Sequence, residues 1–141
     1  MIYKQTTHDI TISVRVEYIP PEDISDAVAY VTDEGVQHVW AWAYFITMEN
    51  NGPETVQLKT RHWTITDALG RVQTVEGVGV VGETPMLAPD EVYRYQSGCP
   101  LQTPSGSMSG YYIFEGEDGR MLKIPVPDFS LDVPGQRRVL N

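Results

Sequence analysis

The sequence predicts an all-β protein built from two antiparallel sheets packed face to face, and three observations predict it. From Ile10 to Tyr18 apolar and polar residues alternate with period two. Short β-branched and aromatic runs recur between turn signals made of Gly, Pro, Asn and Asp. No stretch of useful length carries helical periodicity. Six or more short strands in that setting argue for a sandwich.

Each element has its own justification. Ile10, Ile12, Val14, Val16 and Tyr18 share one side of a half-buried strand, with Asp9, Thr11, Ser13, Arg15 and Glu17 on the other, and Pro20-Pro21 ends it. The segment to about Gln37 carries Glu22, Asp23, Asp26, Asp33 and Glu34 and reads as a solvated connection with room for an edge strand. Val39 to Ile46 is apolar on both faces, which suits a central strand, with Trp40, Trp42, Tyr44, Ile46 and Met48 on one face. Asn50-Asn51-Gly52-Pro53 then breaks the chain, and Thr55 to Leu58 reads as the partner strand of a hairpin. His62 to Thr66 is a further strand ending at the turn Asp67 to Gly70, and Arg71 to Val78 is the next. Val92 to Gln96 and Ser107 to Phe114 follow, the latter turning at Glu115 to Gly119 into a return strand, Met121 to Val126. Residues 1–133 are expected to form one domain, and 134–141, with Arg137 and Arg138, a loosely held tail.

Composition narrows function. The chain has 141 residues and is 41% hydrophobic and 21% charged, which is ordinary for a folded domain. Its formal net charge of −9 repels phosphate backbones, so nucleic acid is not expected as a partner. Cys99 is the only cysteine, which excludes an intrachain disulfide and fits a reducing compartment. The N-terminus lacks the apolar centre of a signal peptide, and Val39 to Ile46 is too short to span a bilayer. A cytoplasmic location with no membrane insertion is expected.

The chemistry-bearing candidates are few. Gly77, Gly79 and Gly82 spell GxGxxG, but the pattern cradles a pyrophosphate only where a helix follows, and Pro85 and Pro89 deny one. The expectation is a glycine-bent strand and loop, whose backbone N–H groups can still nest an anion, with Arg61 of Arg61-His62-Trp63 as counter-charge. Gly106-Ser-Met-Ser-Gly110 puts Met108 where a nucleophile elbow needs serine, so Met108 reads as core. Cys99 and Ser97 have no local histidine, and Cys99 reads as a small buried hydrophobe. His8, His38 and His62 match no local metal motif, and the acidic tip Glu115, Glu117 and Asp118 lacks the ligand spacing of a calcium loop. No catalytic residue, metal site or cofactor is expected, and a divalent cation would be held only weakly.

Arg61-His-Trp-Thr-Ile-Thr-Asp67, Gly70-Arg71, Gly77-Val-Gly-Val-Val-Gly-Glu-Thr-Pro85, Glu91, Tyr95, Ser97-Gly-Cys-Pro-Leu101, Gly106, Met108, Gly110, Tyr112 and Pro127-Asp-Phe-Ser-Leu131 together resemble the ApaG family. The similarity runs from about Tyr3 to Leu131. Two departures stand out: Asp90 occupies the place of the glycine usual before Glu91, and the Pro20 to Gln37 segment is longer than typical. The resemblance implies an immunoglobulin/fibronectin type III-like antiparallel β-sandwich. It further implies a non-enzymatic protein-interaction module, associated in bacteria with cobalt resistance and magnesium efflux, whose partner is another protein or a second copy. The alternative is an anion- or nucleotide-binding domain that uses Gly77 to Gly82.

Overall fold

The structure is a computed structural model that describes residues 2–23, 30–32, 35–37 and 39–135. Its strands, in chain order, are β1 (Ile2–Thr7), β2 (Ile10–Ile19), β3 (Tyr30–Thr32), β4 (Gly35–Gln37), β5 (Trp40–Asn50), β6 (Val56–Asp67), β7 (Val72–Val78), β8 (Met86–Leu87), β9 (Val92–Leu101), β10 (Ser105–Glu115) and β11 (Met121–Asp132). One sheet runs β1-β2-β5-β9, and the other runs β11-β10-β6-β7 with β8 paired to β6. All pairings are antiparallel. The architecture is an antiparallel β-sandwich of the immunoglobulin/fibronectin type III kind.

The period-two pattern decides what lies between the sheets. Ile10, Ile12 and Val14 from β2 and Trp42, Tyr44, Ile46 and Met48 from β5 meet Leu58 and Trp63 of β6, Met108, Tyr112 and Phe114 of β10 and Ile124, Phe129 and Leu131 of β11. The aromatic rings interlock edge to face: Trp63 lies 5.6 Å from Tyr44 and 6.0 Å from both Tyr112 and Phe129. Trp42 is fully buried, and its indole Nε1–H donates to the carbonyl of Asp132 at 2.8 Å, tying the central strand of one sheet to the end of the other. Gly110 is required by this packing, because a Cβ there would lie 2.1 Å from the His62 carbonyl oxygen.

Three expectations need correction. β5 does not form a hairpin with the strand that follows: its two sides are already paired with β2 and β9, so Asn50 to Thr55 crosses from one sheet to the other. Asn50 holds that corner, its buried amide donating to the carbonyls of Glu54 and Leu87 and its Oδ1 accepting from the Gly52 N–H. Thr55 to Leu58 and His62 to Thr66 belong to one long strand, β6, bulged where the register with β10 shifts near Ile113 and Phe114. Finally, β3 and β4 pair only with each other and add no edge to either main sheet. Residues 24–29 and 33–34 of the acidic segment, His38 and 136–141 of the expected tail lie outside the described residues.

The N-terminal strand β1 had no alternation signal of its own. It forms because His8 and Asp9 both take positive φ, 49° and 62°, which makes a tight turn back from β2.

Candidate functional site

The glycine stretch closes the outer end of β7. Its three glycines answer three different steric demands. Arg61 and Gly77 are register partners on β6 and β7, and a Cβ at Gly77 would lie 2.7 Å from the Arg61 Nη2. The guanidinium therefore lies across the bare glycine, and Nη1 donates to the carbonyl oxygens of Val78 at 3.1 Å and Gly79 at 2.8 Å. Gly79 has φ 65°, and a Cβ there would sit 2.2 Å from the Glu83 carbonyl oxygen. Gly82, at φ 81°, has open space around it and is needed for its backbone angle alone.

Between them is a two-residue turn. Val80 and Glu83 exchange both backbone hydrogen bonds, at 2.9 and 2.8 Å, and the central residues Val81 and Gly82 both have positive φ. This is the mirror-image turn that suits right-handed strand twist. Val80 is fully buried and pins it, whereas Val81 is a β-branched residue at φ 43° with 60% of its surface exposed. No helix follows: the chain continues as the short strand β8.

Arg61, Gly77 and Gly79 are thus brought together, with Gly82 apart at the tip. The backbone that meets Arg61 presents carbonyls, and the N–H groups of Gly79, Val80 and Glu83 are taken by Lys59, Glu83 and Val80. Among the described residues no carboxylate lies within ion-pair distance of Arg61. The triplet Arg61-His62-Trp63 does not make one patch, because alternation along β6 sends Arg61 inward with Trp63 and His62 outward. His62 stacks on Tyr111 at 4.3 Å and bonds Thr60 Oγ1 through Nε2 at 3.0 Å.

Inside, Arg61 borders a cleft of about 260 Å³ at the open side of the sandwich, with Tyr44, Trp63, Ser97 and Cys99. The Tyr95 and Tyr112 hydroxyls bond each other behind it. Burial raises the pKa of all three tyrosines, Tyr44, Tyr95 and Tyr112; a hydrogen bond with Ser97 partly offsets this at Tyr44. Burial also pushes the Cys99 thiol up to about 11, the environment of a packing cysteine rather than a nucleophile. Along the chain the three tyrosines lie on separate strands, β5, β9 and β10. The signal that joins them is strand parity, which puts Tyr44, Tyr93 and Tyr95 on the inner faces of two strands that prove to be adjacent.

The acidic tip is internally engaged. Asp118 and Glu54 pair with Arg120, Glu115 with Lys59, and Glu117 accepts from the Thr55 N–H. Among the described residues no three His, Cys, Asp or Glu side chains converge as a metal-ligand set, and no helix is long and apolar enough to cross a membrane.

Comparison with known proteins places these features in a family. The ApaG domain model matches residues 31–116. Protein ApaG of Bradyrhizobium diazoefficiens is 47% identical over 140 residues, covering 99% of this chain and all of that protein, and Protein ApaG of Paramagnetospirillum magneticum has the same identity and coverage. The crystal structure of a Bordetella pertussis protein described as ApaA is similar with a TM-score of 0.78 at 41% identity, over 91% of this chain and 96% of that one. With the family pattern running through both sheets and the glycine loop, the chain belongs to the ApaG family.

Proposed function

We propose that this chain is a non-enzymatic protein-interaction module acting in the cytoplasm. The observation that carries this reading is the free edge of the second sheet. Among the described residues β7 is paired on one side only, by β6, and Val72, Val78, Val81 and Met86 stand exposed along it and the adjoining loop. An unpaired strand edge offers a row of backbone donors and acceptors to an incoming strand, and exposed apolar side chains beside it supply burial. A second copy of the chain is one candidate partner. The association of bacterial members with cobalt resistance and magnesium efflux then reaches this chain through its partner.

The test is affinity capture with wild-type protein and with Val78→Asp, combined with sedimentation of each alone. A partner, or a dimer, lost on substitution supports the edge. Capture and sedimentation identical in the two proteins overturn it.

The second reading, anion binding at Gly77 to Gly82, is favoured by one observation: the Arg61 charge has no carboxylate partner among the described residues. It predicts calorimetric heat with pyrophosphate that vanishes in Arg61→Gln. Equal heats, or none, remove it.

A further inference from the structure

A different surface carries a charge argument of its own. Eight Lys and Arg residues lie in the described part of the chain. Arg15, Lys59, Arg71 and Arg120 pair with carboxylates. Arg61 is held by two carbonyls, and Lys123 lies over the Tyr111 ring at 4.3 Å. Lys4 and Arg94 are left, both exposed and without an ionic or hydrogen-bonding side-chain partner among the described residues.

These two cations are not scattered. Lys4, Ser13, Thr47 and Arg94 are successive register partners across β1, β2, β5 and β9, so they form one row over the outer face of the first sheet. Paired residues point to the same side of a sheet. Beside the row lies a shallow groove of about 500 Å³, lined by Ile2, Phe45, Thr47, Arg94 and Gln96, with Arg15 stacked 4.0 Å over the Phe45 ring and paired with Glu17. Glu49, in the next row, is the other carboxylate of this face.

We infer that this face docks an acidic polypeptide segment bound across the four strands. In a protein of net charge −9, cations at both ends of one row with no ionic partner among the described residues favour a carboxylate-bearing occupant. The row spans three inter-strand spacings, about 14 Å, which is the separation of side chains four residues apart on an extended chain. Ser13 and Thr47 supply hydroxyl donors between the cations, and Ile2 with Phe45 supplies an apolar floor. A short segment stays within about one Debye length, ~8 Å, of the two cations, while a membrane or a duplex meets the repulsion of the whole molecule.

The inference is independent of the β7 edge, and its test leaves that edge intact. A fluorescein-labelled ten-residue peptide alternating Glu and Ser is titrated by anisotropy at low and at physiological salt. Binding is expected to wild type and to Lys59→Gln, to weaken at least tenfold in Lys4→Gln/Arg94→Gln, and to fall as salt rises. Amide shifts should map to the Lys4, Ser13, Thr47 and Arg94 row. Absence of binding, equal binding by the double variant, equal binding of a Lys/Ser peptide, or preference for phosphatidylglycerol vesicles or duplex DNA each overturns it. The substituted side chains are exposed, and an unchanged melting temperature confirms that the variant is folded.

Discussion

Asp90 illustrates how a single non-glycine residue carries backbone strain. It has φ 70°, and its N–H donates to the Asn50 carbonyl at 2.7 Å. The left-handed region costs a non-glycine residue about 1 kcal/mol. Asp90→Gly should therefore stabilise the protein by up to ~1 kcal/mol, less the added entropy of the unfolded chain, in urea denaturation. The glycines of the loop should separate by mechanism in the same assay. Gly82→Ala meets only the backbone penalty, about 1 kcal/mol, whereas Gly79→Ala adds a collision with the Glu83 carbonyl and should cost several times as much. The buried thiol gives a pH prediction. Cys99 is raised from 9.0 to about 11, so its contribution is fully present below pH 9.0 and is lost as pH rises through about 11, because the unfolded thiol ionises first. Unfolding titrated from pH 8 to 11 should show wild-type stability falling more steeply than that of Cys99→Ala.

At the scale of elements, the Val80–Glu83 turn and the Asn50 corner decide how the sheets are finished. Val81 is β-branched, exposed and at positive φ, an arrangement that stability alone does not favour. Val81→Asn should raise stability by about 1 kcal/mol, since asparagine tolerates this region and little burial is lost. If β7 and its loop are the docking edge, the same variant should bind its partner more weakly while melting higher, a pairing of effects that a purely structural valine does not produce. Asn50→Ala, by contrast, leaves the carbonyls of Glu54 and Leu87 without their amide donor and should destabilise by about 2–3 kcal/mol. Most strands were legible because alternation and turn residues are local signals. The turn after β5 resembles a hairpin turn, but a turn sequence cannot say whether the chain returns to the same sheet. That depends on whether the strand already has two neighbours, and β5 has β2 and β9.

At the scale of the whole molecule, the acidic side chains of the described residues do not converge on a ligand cage. The carboxylates at the β10–β11 tip are spent on Arg120, Lys59 and the Thr55 N–H. Magnesium or cobalt at millimolar concentration should then leave the melting temperature unchanged, since a ligand bound by the native state alone would stabilise it by RT ln(1 + [L]/Kd). A metal-dependent rise would reverse the proposal that any link to cation homeostasis works through a partner.

What the linear order of residues determined was the class of structure: period-two patterning, two prolines after the glycines, and a single buried cysteine leave a β-sandwich without a dinucleotide-binding helix. The candidate site was legible in part. Arg61 beside Gly77 follows from their types and positions only once β6 and β7 are known to be in register. Which carbonyls Arg61 holds, which tyrosines share its cleft, and which cations share one row on the first sheet were decided by tertiary structure. The physical reason is range. Alternation and turn chemistry act over a few residues, whereas Lys4 and Arg94 enter one row through pairings that cross four strands and most of the chain's length.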